Sequence, residues 1–482
     1  MTPNVPLQAW LPDADPTAPG VIAEVENLLP TLRGYAPDYS LAVSQRYPVT
    51  LPARVFSADS TFYAGAGVCL FGTATGLYAA QDGTLVDRSR ATAYATINEG
   101  YEWRFATFAT ASGTYVLATN ALNILQVTAN ITTTDFADVA SAPLGNTICV
   151  QRNFVLLGNF LTGSWPYDDG WRCSAQEDHT DWTPDIATQS AQGRLTQTPG
   201  GIVRLIAYQD SVIAFKATST YRGTYTGPTA NTWSFPLISR SVGLVSHDAV
   251  CEADGVLYWM GPAGFYAYAG GQIQRIAGAP WNYAKKLLRG LNTVQCVWDP
   301  VRRLVRWYIN STTLEDGRAY GIAYHPDSNK WGRFQDNSNC AFALPVDAVP
   351  TLDGYDEFIA DLADWTTFGP VGCIDAATNQ LLTYSGQPGA SSLITGDIGD
   401  DDAVTGMLRA RLRFQRAPTT STMTHYHRQE LGAALVTGAT ATRSDGKYDI
   451  SYAARWHRVK FAQTGMCEVS GFSVGPARAG SR

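Results

Sequence analysis

One pattern returns along this chain and limits what it can fold into: a short apolar strand, a Gly- or Asn-containing turn, then a second strand with an aromatic or apolar centre. It occupies VCLFGTATGLYAA at 68–80, YVLATNALNILQV at 115–127, FVLLGNF at 154–160 with a longer insertion after it, SVIAFKATSTYRGTY at 211–225 and VLYWMGPAGFYAYAG at 256–270. It continues as LVRWYIN at 304–310 with AYGIAYHP at 319–326, and as EFIADLADWTTFGPVGCID at 357–375 with QLLTYSG at 380–386. These hairpins start about 40–55 residues apart, the length of one propeller blade, a four-stranded sheet that cannot bury both faces alone. The expected fold is all-β: a multi-bladed β-propeller of six or seven blades, with an N-terminal extended arm and a small C-terminal β module. A pair of β-sandwiches, which also gives short strands and turns, is the alternative.

The expected domains are 1–60, arm and platform segment; 61–395, propeller; and 396–482, C-terminal module. Residues 1–20 are Pro-rich and lack periodicity, which predicts an extended arm that lies on a neighbour in an assembly, or disorder. Helices are expected at 281–291, where Asn282 could cap and Trp281, Ala284, Leu287, Leu288 and Leu291 recur near helical spacing, and more weakly at 21–29. The acidic, Gly-rich stretch 395–406 reads as a linker or loop. Beyond it MLRARLRF at 407–414 alternates, with Leu408, Ala410, Leu412 and Phe414 on one face and Arg409, Arg411 and Arg413 on the other. RWHRVKF at 455–461 and CEVSGFSVG at 467–475 complete the module.

Charged residues make up only 16% of the 482, with 44 Gly, 24 Tyr and 13 Trp, which suits tight-turned β structure better than helices with Lys/Glu-rich faces. A net charge of −7 argues against gripping nucleic acid by counterion release, but not against a wall past which DNA slides. The first positive charge is Arg33, so the start lacks the pattern of a secretory signal, and no run of 18 apolar residues predicts a membrane span. The eight cysteines form no CxxC pair and read as small buried apolar residues in a reducing cytoplasm.

Propellers often carry enzymes at their axial mouth, so clusters of chemistry-bearing residues matter here. His425 and His427 would share a strand face and could begin a metal site with His457; exposed strand histidines are the plainer reading. The carboxylate pairs Asp168/Asp169 and Asp178/Asp181 could serve a glycosidase but read as turn residues, and AQDGTLVD at 80–87 only faintly resembles a sialidase turn. Asp400–Asp402 lacks the EF-hand pattern for Ca²⁺. Lys285, Lys286, Arg289, Arg302, Arg303 and Arg306 crowd one region, either as a docking face for an acidic partner or as solvated charge. There is no GxxxxGK[ST] or HExxH. The expectation is a non-enzyme with no catalytic, cofactor-binding or metal residues and no cofactor.

Six segments in order resemble a known family: NLLPTLRGYAPDYSLAV at 27–43, NEGYEWRFATFATASGTYVLATN at 98–120, WRCSAQEDHTDWTPDIATQSAQGRL at 171–195, GGIVRLIAYQDSVIAFKATSTYRGTYTGP at 200–228, SVGLVSHDAVCEADGVLYWMGPAGFYAYAGGQIQRI at 241–276 and VWDPVRRLVRWYIN at 297–310. Together they resemble the propeller-bearing nozzle proteins of short-tailed, double-stranded-DNA bacteriophages; 335–405 departs from that pattern. The resemblance implies a structural virion protein of the viral tail, assembled in the host cytoplasm. It implies a homohexameric ring under the adaptor, with fibres or spikes nearby, that closes around genomic DNA until ejection without sequence-specific binding or a membrane partner. It brings no catalytic residues. The competing readings are a receptor-binding tail propeller, whose loop GNFLTGSWPYDDGW at 158–171 could stack on sugars, and a polysaccharide-degrading one.

Overall fold

The structure is a computed structural model that describes residues 4–6, 9–163, 165–229, 231–288, 294–309, 320–335, 338–345 and 371–481. Among these residues seven antiparallel sheets stand around one axis, each led by its innermost strand: Val55–Tyr63, Arg104–Thr110, Thr147–Gln151, Ile202–Tyr208, Val250–Ala253, Val294–Asp299 and Ser338–Ala343. Those strands define blades 1 to 7, and the chain is an all-β propeller. Each predicted hairpin is the second and third strand of a blade, as with Ala66–Thr73 and Leu77–Gln81 in blade 1. The first half of the hairpin predicted at 357–375 lies outside the described residues.

The second strands read as continuous apolar runs because both their faces are covered: Phe154–Gly158, Ser211–Lys216 and Leu304–Ile309 are buried at every position. Tight turns join many of the pairs. Asp82–Gly83 and Asp254–Gly255 both take positive φ, the paired left-handed conformation of a two-residue hairpin turn, which Asp and Gly adopt at little cost. Each blade shares a hydrophobic cluster with the next. Phe71 of blade 1 meets Phe342 of blade 7 edge-on at 5.7 Å between centroids, and their cluster closes the ring.

The last blade is built from both ends of the sequence. Its strands Ser338–Ala343, Val371–Asp375 and Leu381–Thr383 are completed on the outside by Ala42–Val43, with Val43 opposite Leu382. The rest of the N-terminal segment is woven in as well. Leu28–Pro30 adds to the outer edge of blade 6 through the Leu28–Arg333 pair, and Tyr35–Pro37 carries that sheet on to Glu468–Ser481, Ala403–Arg416 and Tyr448–Ala454. A second sheet, Ile22–Glu26, Ser391–Thr395, Trp456–Thr464, Thr420–Arg428 and Val436–Thr442, supplies Leu393, Met423, Val459 and Phe461 to the cluster that holds Met407, Leu412, Val469 and Phe472 of the first. The C-terminal module is therefore a two-sheet sandwich that recruits 22–26 and 391–395 from outside the expected 396–482. Blade 1 begins at Val55 rather than 61.

Four local expectations change. Residues 22–26 form a strand instead of a helix, since Ile22 and Val25 gain a β partner in Ser391–Thr395. The helix predicted over 281–291 is confined to Trp281–Leu287 in the described chain. Asn282 does not cap it; the Asp13 carboxylate accepts the Asn282 and Tyr283 amides at 2.6 and 3.1 Å. Residues 9–20 are packed on their own chain: Trp10 is buried and its amide donates to the Tyr35 hydroxyl at 2.8 Å. In 407–414 a register shift between Met407 and Arg409 turns Leu408 outward, 55% exposed, while Met407, Ala410 and Leu412 face the core.

Where the N-terminal segment crosses blade 6, Arg306 is fully buried between Asp38 and Asp299, at 2.6 Å and 2.7 Å, with its guanidinium over the rings of Tyr384 and Phe334. Arg302 also reaches Asp38, at 3.2 Å. Burial disfavours the charge on Arg306, and the two carboxylates outweigh it. Removing one partner of such a dry pair strands the other, so Asp38→Ala is expected to cost about 3–5 kcal/mol in denaturant unfolding. A loss below about 1 kcal/mol, the size of an exposed pair, would show that the seam is wet.

Candidate functional site

The innermost strands enclose a cavity of about 560 Å³ on the propeller axis, lined from all seven blades, from Ser57 and Asp59 in blade 1 to Phe342 in blade 7. Its polar groups converge across the axis. Arg104, at the start of blade 2, binds Asp248, beside the first strand of blade 5, at 2.7 Å and Glu102 at 2.9 Å. Arg204 of blade 4 donates to the His247 carbonyl at 2.9 Å and lies 3.6 Å from Asp248. His247 Nδ1 meets Asp248 Oδ1 at 2.7 Å, and its Nε2 meets Thr147 Oγ1 at 3.1 Å.

A hydroxyl, an imidazole and a carboxylate in series have the look of a nucleophile relay, but the geometry turns it inward. Thr147 is fully buried and its hydroxyl already accepts the Leu205 amide at 3.0 Å, so no substrate atom can approach it. Burial, with Arg104 second, pushes the His247 pKa down to about 3, too weak a base for work near neutrality. Burial opposes the charge of Asp248, yet Arg104, His247 and Arg204 together hold its carboxyl well below the usual range. Asp59 behaves oppositely: desolvation in the cavity pushes it up to about 6, against the Ser60 amide and Arg204. The arrangement bridges the axis with charge and orders the inner strands.

The sequence candidates fall elsewhere. His425, His427 and His457 do come together in the sandwich, on paired strands, but buried rather than exposed: His425 and His457 are fully covered. The Thr405 carbonyl can only accept, so His457 Nε2, 3.0 Å away, carries a proton; its Nδ1 then accepts from His425 Nε2 at 2.8 Å. His425 Nδ1 is left without a partner, against Gly438, where a Cβ would sit 2.8 Å from it. Burial, then His457 and His427, push the His425 pKa down to about 4. Among the described residues no group of three His, Cys, Asp or Glu has the placement to hold a metal ion.

Asp169 binds Arg194 at 2.7 Å, and Asp178 and Asp181 cap turns through the Thr180 and Thr183 amides. Asp400 accepts the Asp402 amide and Asp401 the Trp456 indole N–H. Asp82, in the 80–87 segment, sits in a plain hairpin turn. The basic group divides: Arg302 and Arg306 belong to the buried seam, Arg303 pairs with Asp254 and Asp327, and Lys285 and Lys286 are exposed, while Arg289 lies outside the described residues. In the loop 158–171 Arg172 lies over one face of Trp165 at 4.7 Å and Arg194 over one face of Tyr167 at 3.9 Å, while Tyr167 stays exposed. Sequence reading missed Glu102, Arg104, Arg204 and Asp248, and also Asp397, which is buried between Arg428 and Arg458 at 2.6 and 2.8 Å.

No family model matches this chain, and no curated protein matches it by sequence. Among solved structures it is similar to a fucose-specific lectin from Aleuria aurantia, in a mercury-derivative form, at 10% identity and a TM-score of 0.35, over 63% of this chain and 99% of the lectin.

Two measurements probe these clusters. Asp248→Leu alone leaves Arg104 and Arg204 without their shared counter-charge and should lower stability by about 2 kcal/mol, less than in a fully buried site because the Asp248 side chain is 32% exposed. The Arg104→Leu/Asp248→Leu double variant should lose less than the sum of the singles; strict additivity would mean no coupling across the axis. For His425 the folded pKa lies below the ordinary 6.5, so its stability contribution is complete above about pH 6.5 and is lost as the pH falls towards 4, by about 3 kcal/mol in total. Chemical unfolding between pH 7.5 and 4.5 should show this slope in the native chain and a shallower one in His425→Gln; parallel curves would contradict it.

Proposed function

We propose that the chain is a non-catalytic structural subunit of the tail of a short-tailed, double-stranded-DNA bacteriophage, of the nozzle type. Copies form a hexameric ring beneath the portal and adaptor, close around the packaged genome, and open for ejection, with fibres or spikes attached nearby. One observation carries the reading. The segments that resemble nozzle proteins supply the polar residues of the fold's two joints. Glu102, Arg104, Arg204, His247 and Asp248 come from 98–120, 200–228 and 241–276 and meet at the axis; Asp38, Asp299, Arg302 and Arg306 come from 27–43 and 297–310 and meet at the seam. What these segments have in common is therefore architecture, as expected of a part selected for shape and strength.

The axis adds a constraint. A cavity of about 560 Å³ bridged by Arg104 and Asp248 is too narrow for a duplex, which supports a path enclosed by several copies over one through the propeller axis. A ring of that kind needs heterologous contacts that close by rotation. The net charge of −7 suits a wall that repels phosphate instead of binding it.

Negative-stain imaging of the purified chain, alone and with adaptor rings, tests the reading. Closed rings of fixed stoichiometry are expected, with no release of reducing ends from host capsule or lipopolysaccharide. A chain that stays monomeric at high concentration beside adaptor, or that binds host cells by itself, would overturn it.

A further inference from the structure

We propose that Cys251 and Cys296 form a redox-active dithiol in the wall of the axial cavity, which a small-molecule disulfide converts into a bond fastening blade 5 to blade 6. The inference is independent of the tail reading. It starts from the repeat: Cys251 lies on the innermost strand of blade 5 and Cys296 on that of blade 6. The two strands are drawn together at their ends. The Cys296 amide donates to the Asp248 carbonyl at 2.6 Å, and the Ser246 hydroxyl to the Val294 carbonyl at 2.6 Å. The thiols therefore face each other, and Cys296 Sγ donates to Cys251 Sγ at 3.2 Å. Both line the cavity; Cys296 is buried, while Cys251 keeps part of its surface open.

The other six cysteines are single and buried. Cys340, the next along the cavity wall, accepts from the Gln295 amide at 3.6 Å, and Cys173 donates to the Gln189 carbonyl at 3.7 Å. Only the pair has the proximity that thiol–disulfide exchange needs.

The reaction balances. Cys251, the accessible thiol, loses its proton and attacks one sulfur of the small disulfide. An S–S bond forms to Cys251, and one small thiolate leaves and takes up a proton. Cys296 then loses its proton and attacks Cys251 Sγ, breaking the mixed disulfide and releasing the second small thiol. The two cysteines are oxidised by two electrons and the small disulfide is reduced to two thiols. Burial, and Cys251 beside it, raise the Cys296 pKa well above that of a free thiol, with Arg204 opposing, which fits Cys296 for the second step rather than the first. The product bond closes a long loop of chain and restrains the unfolded state.

The test uses the full chain incubated with oxidised or reduced glutathione, then unfolded in denaturant for alkylation of free thiols and analysed by mass spectrometry of an unreduced digest. Oxidation should leave six of the eight cysteines alkylatable, produce one crosslink joining 251 to 296, and raise the unfolding midpoint by a few degrees. Reduced glutathione should reverse all three. In Cys296→Ala the reaction should stop with glutathione held on Cys251. Eight alkylatable thiols after oxidation, a crosslink between other cysteines, or a native chain that stops at the mixed disulfide would overturn the proposal.

Discussion

The fold rests on the closure of its ring, and closure depends on one short strand pair whose members lie far apart in sequence. Blade 7 ends at Leu381–Thr383 and lacks an outer strand until Ala42–Val43 arrives from the other end of the chain. Two residues of pairing are too few to hold a blade. The hold comes from the charge seam just before them, where Asp38 locks onto Arg306 across 268 residues of sequence. A loop that long makes the contact entropically expensive to form, though only slowly more so with length. Burial compensates: a fully buried guanidinium between two carboxylates cannot let go of either without stranding a charge.

The same logic appears at the axis. Seven wedges packed by apolar faces could tilt or slip, because hydrophobic contact is non-directional. Arg104 and Asp248 reach across the hole and set a distance and an angle between blades 2 and 5, while Arg204 fixes blade 4 to the same carboxylate. The displaced pKa values follow from this use of charge. Asp248 is held ionised by two cations, and His247 is kept neutral by burial and by those cations. Perturbed titration often marks catalysis; here the hydroxyl that His247 contacts, that of Thr147, is fully buried.

What the sequence disclosed follows from which strands are covered. Second and third strands are buried on both faces, so VLYWMG and GFYAY stand out as apolar runs with turns between them. Innermost strands such as Val250–Ala253 face the lumen on one side, and outer strands such as Gln274–Arg275 are two exposed residues, so neither carries a readable period. The N-terminal segment misled because its strands are of two to five residues and find partners hundreds of positions away; IAEVE shows no local sign of pairing with Ser391–Thr395. The joints were hidden for the same reason. Arg104 and Asp248 are 144 residues apart and ordinary in their own surroundings. The histidines were legible as a face of one strand, since His425 and His427 alternate, but not as buried, which depends on the second sheet.

One consequence joins these elements. The segment that closes blade 7 is the continuation of the segment that completes the sandwich: Ile22–Glu26 pairs with Ser391–Thr395, Tyr35 buries its ring and bonds the Trp331 carbonyl at 3.0 Å, and Asp38 and Ala42–Val43 follow at once. Sandwich and ring therefore share a strap, and they share one hydrophobic cluster running from Met423 and Phe461 through Trp10 and Tyr35 to Trp331 and Trp307. Loosening the sandwich weakens the anchor of the strap, and the strap is what keeps the ring shut. By linkage, charging a buried imidazole in the sandwich lowers the stability of the propeller as well, without any contact between that imidazole and a blade. A strap and a hydrophobic cluster shared in this way set the chain apart from two domains joined by a linker.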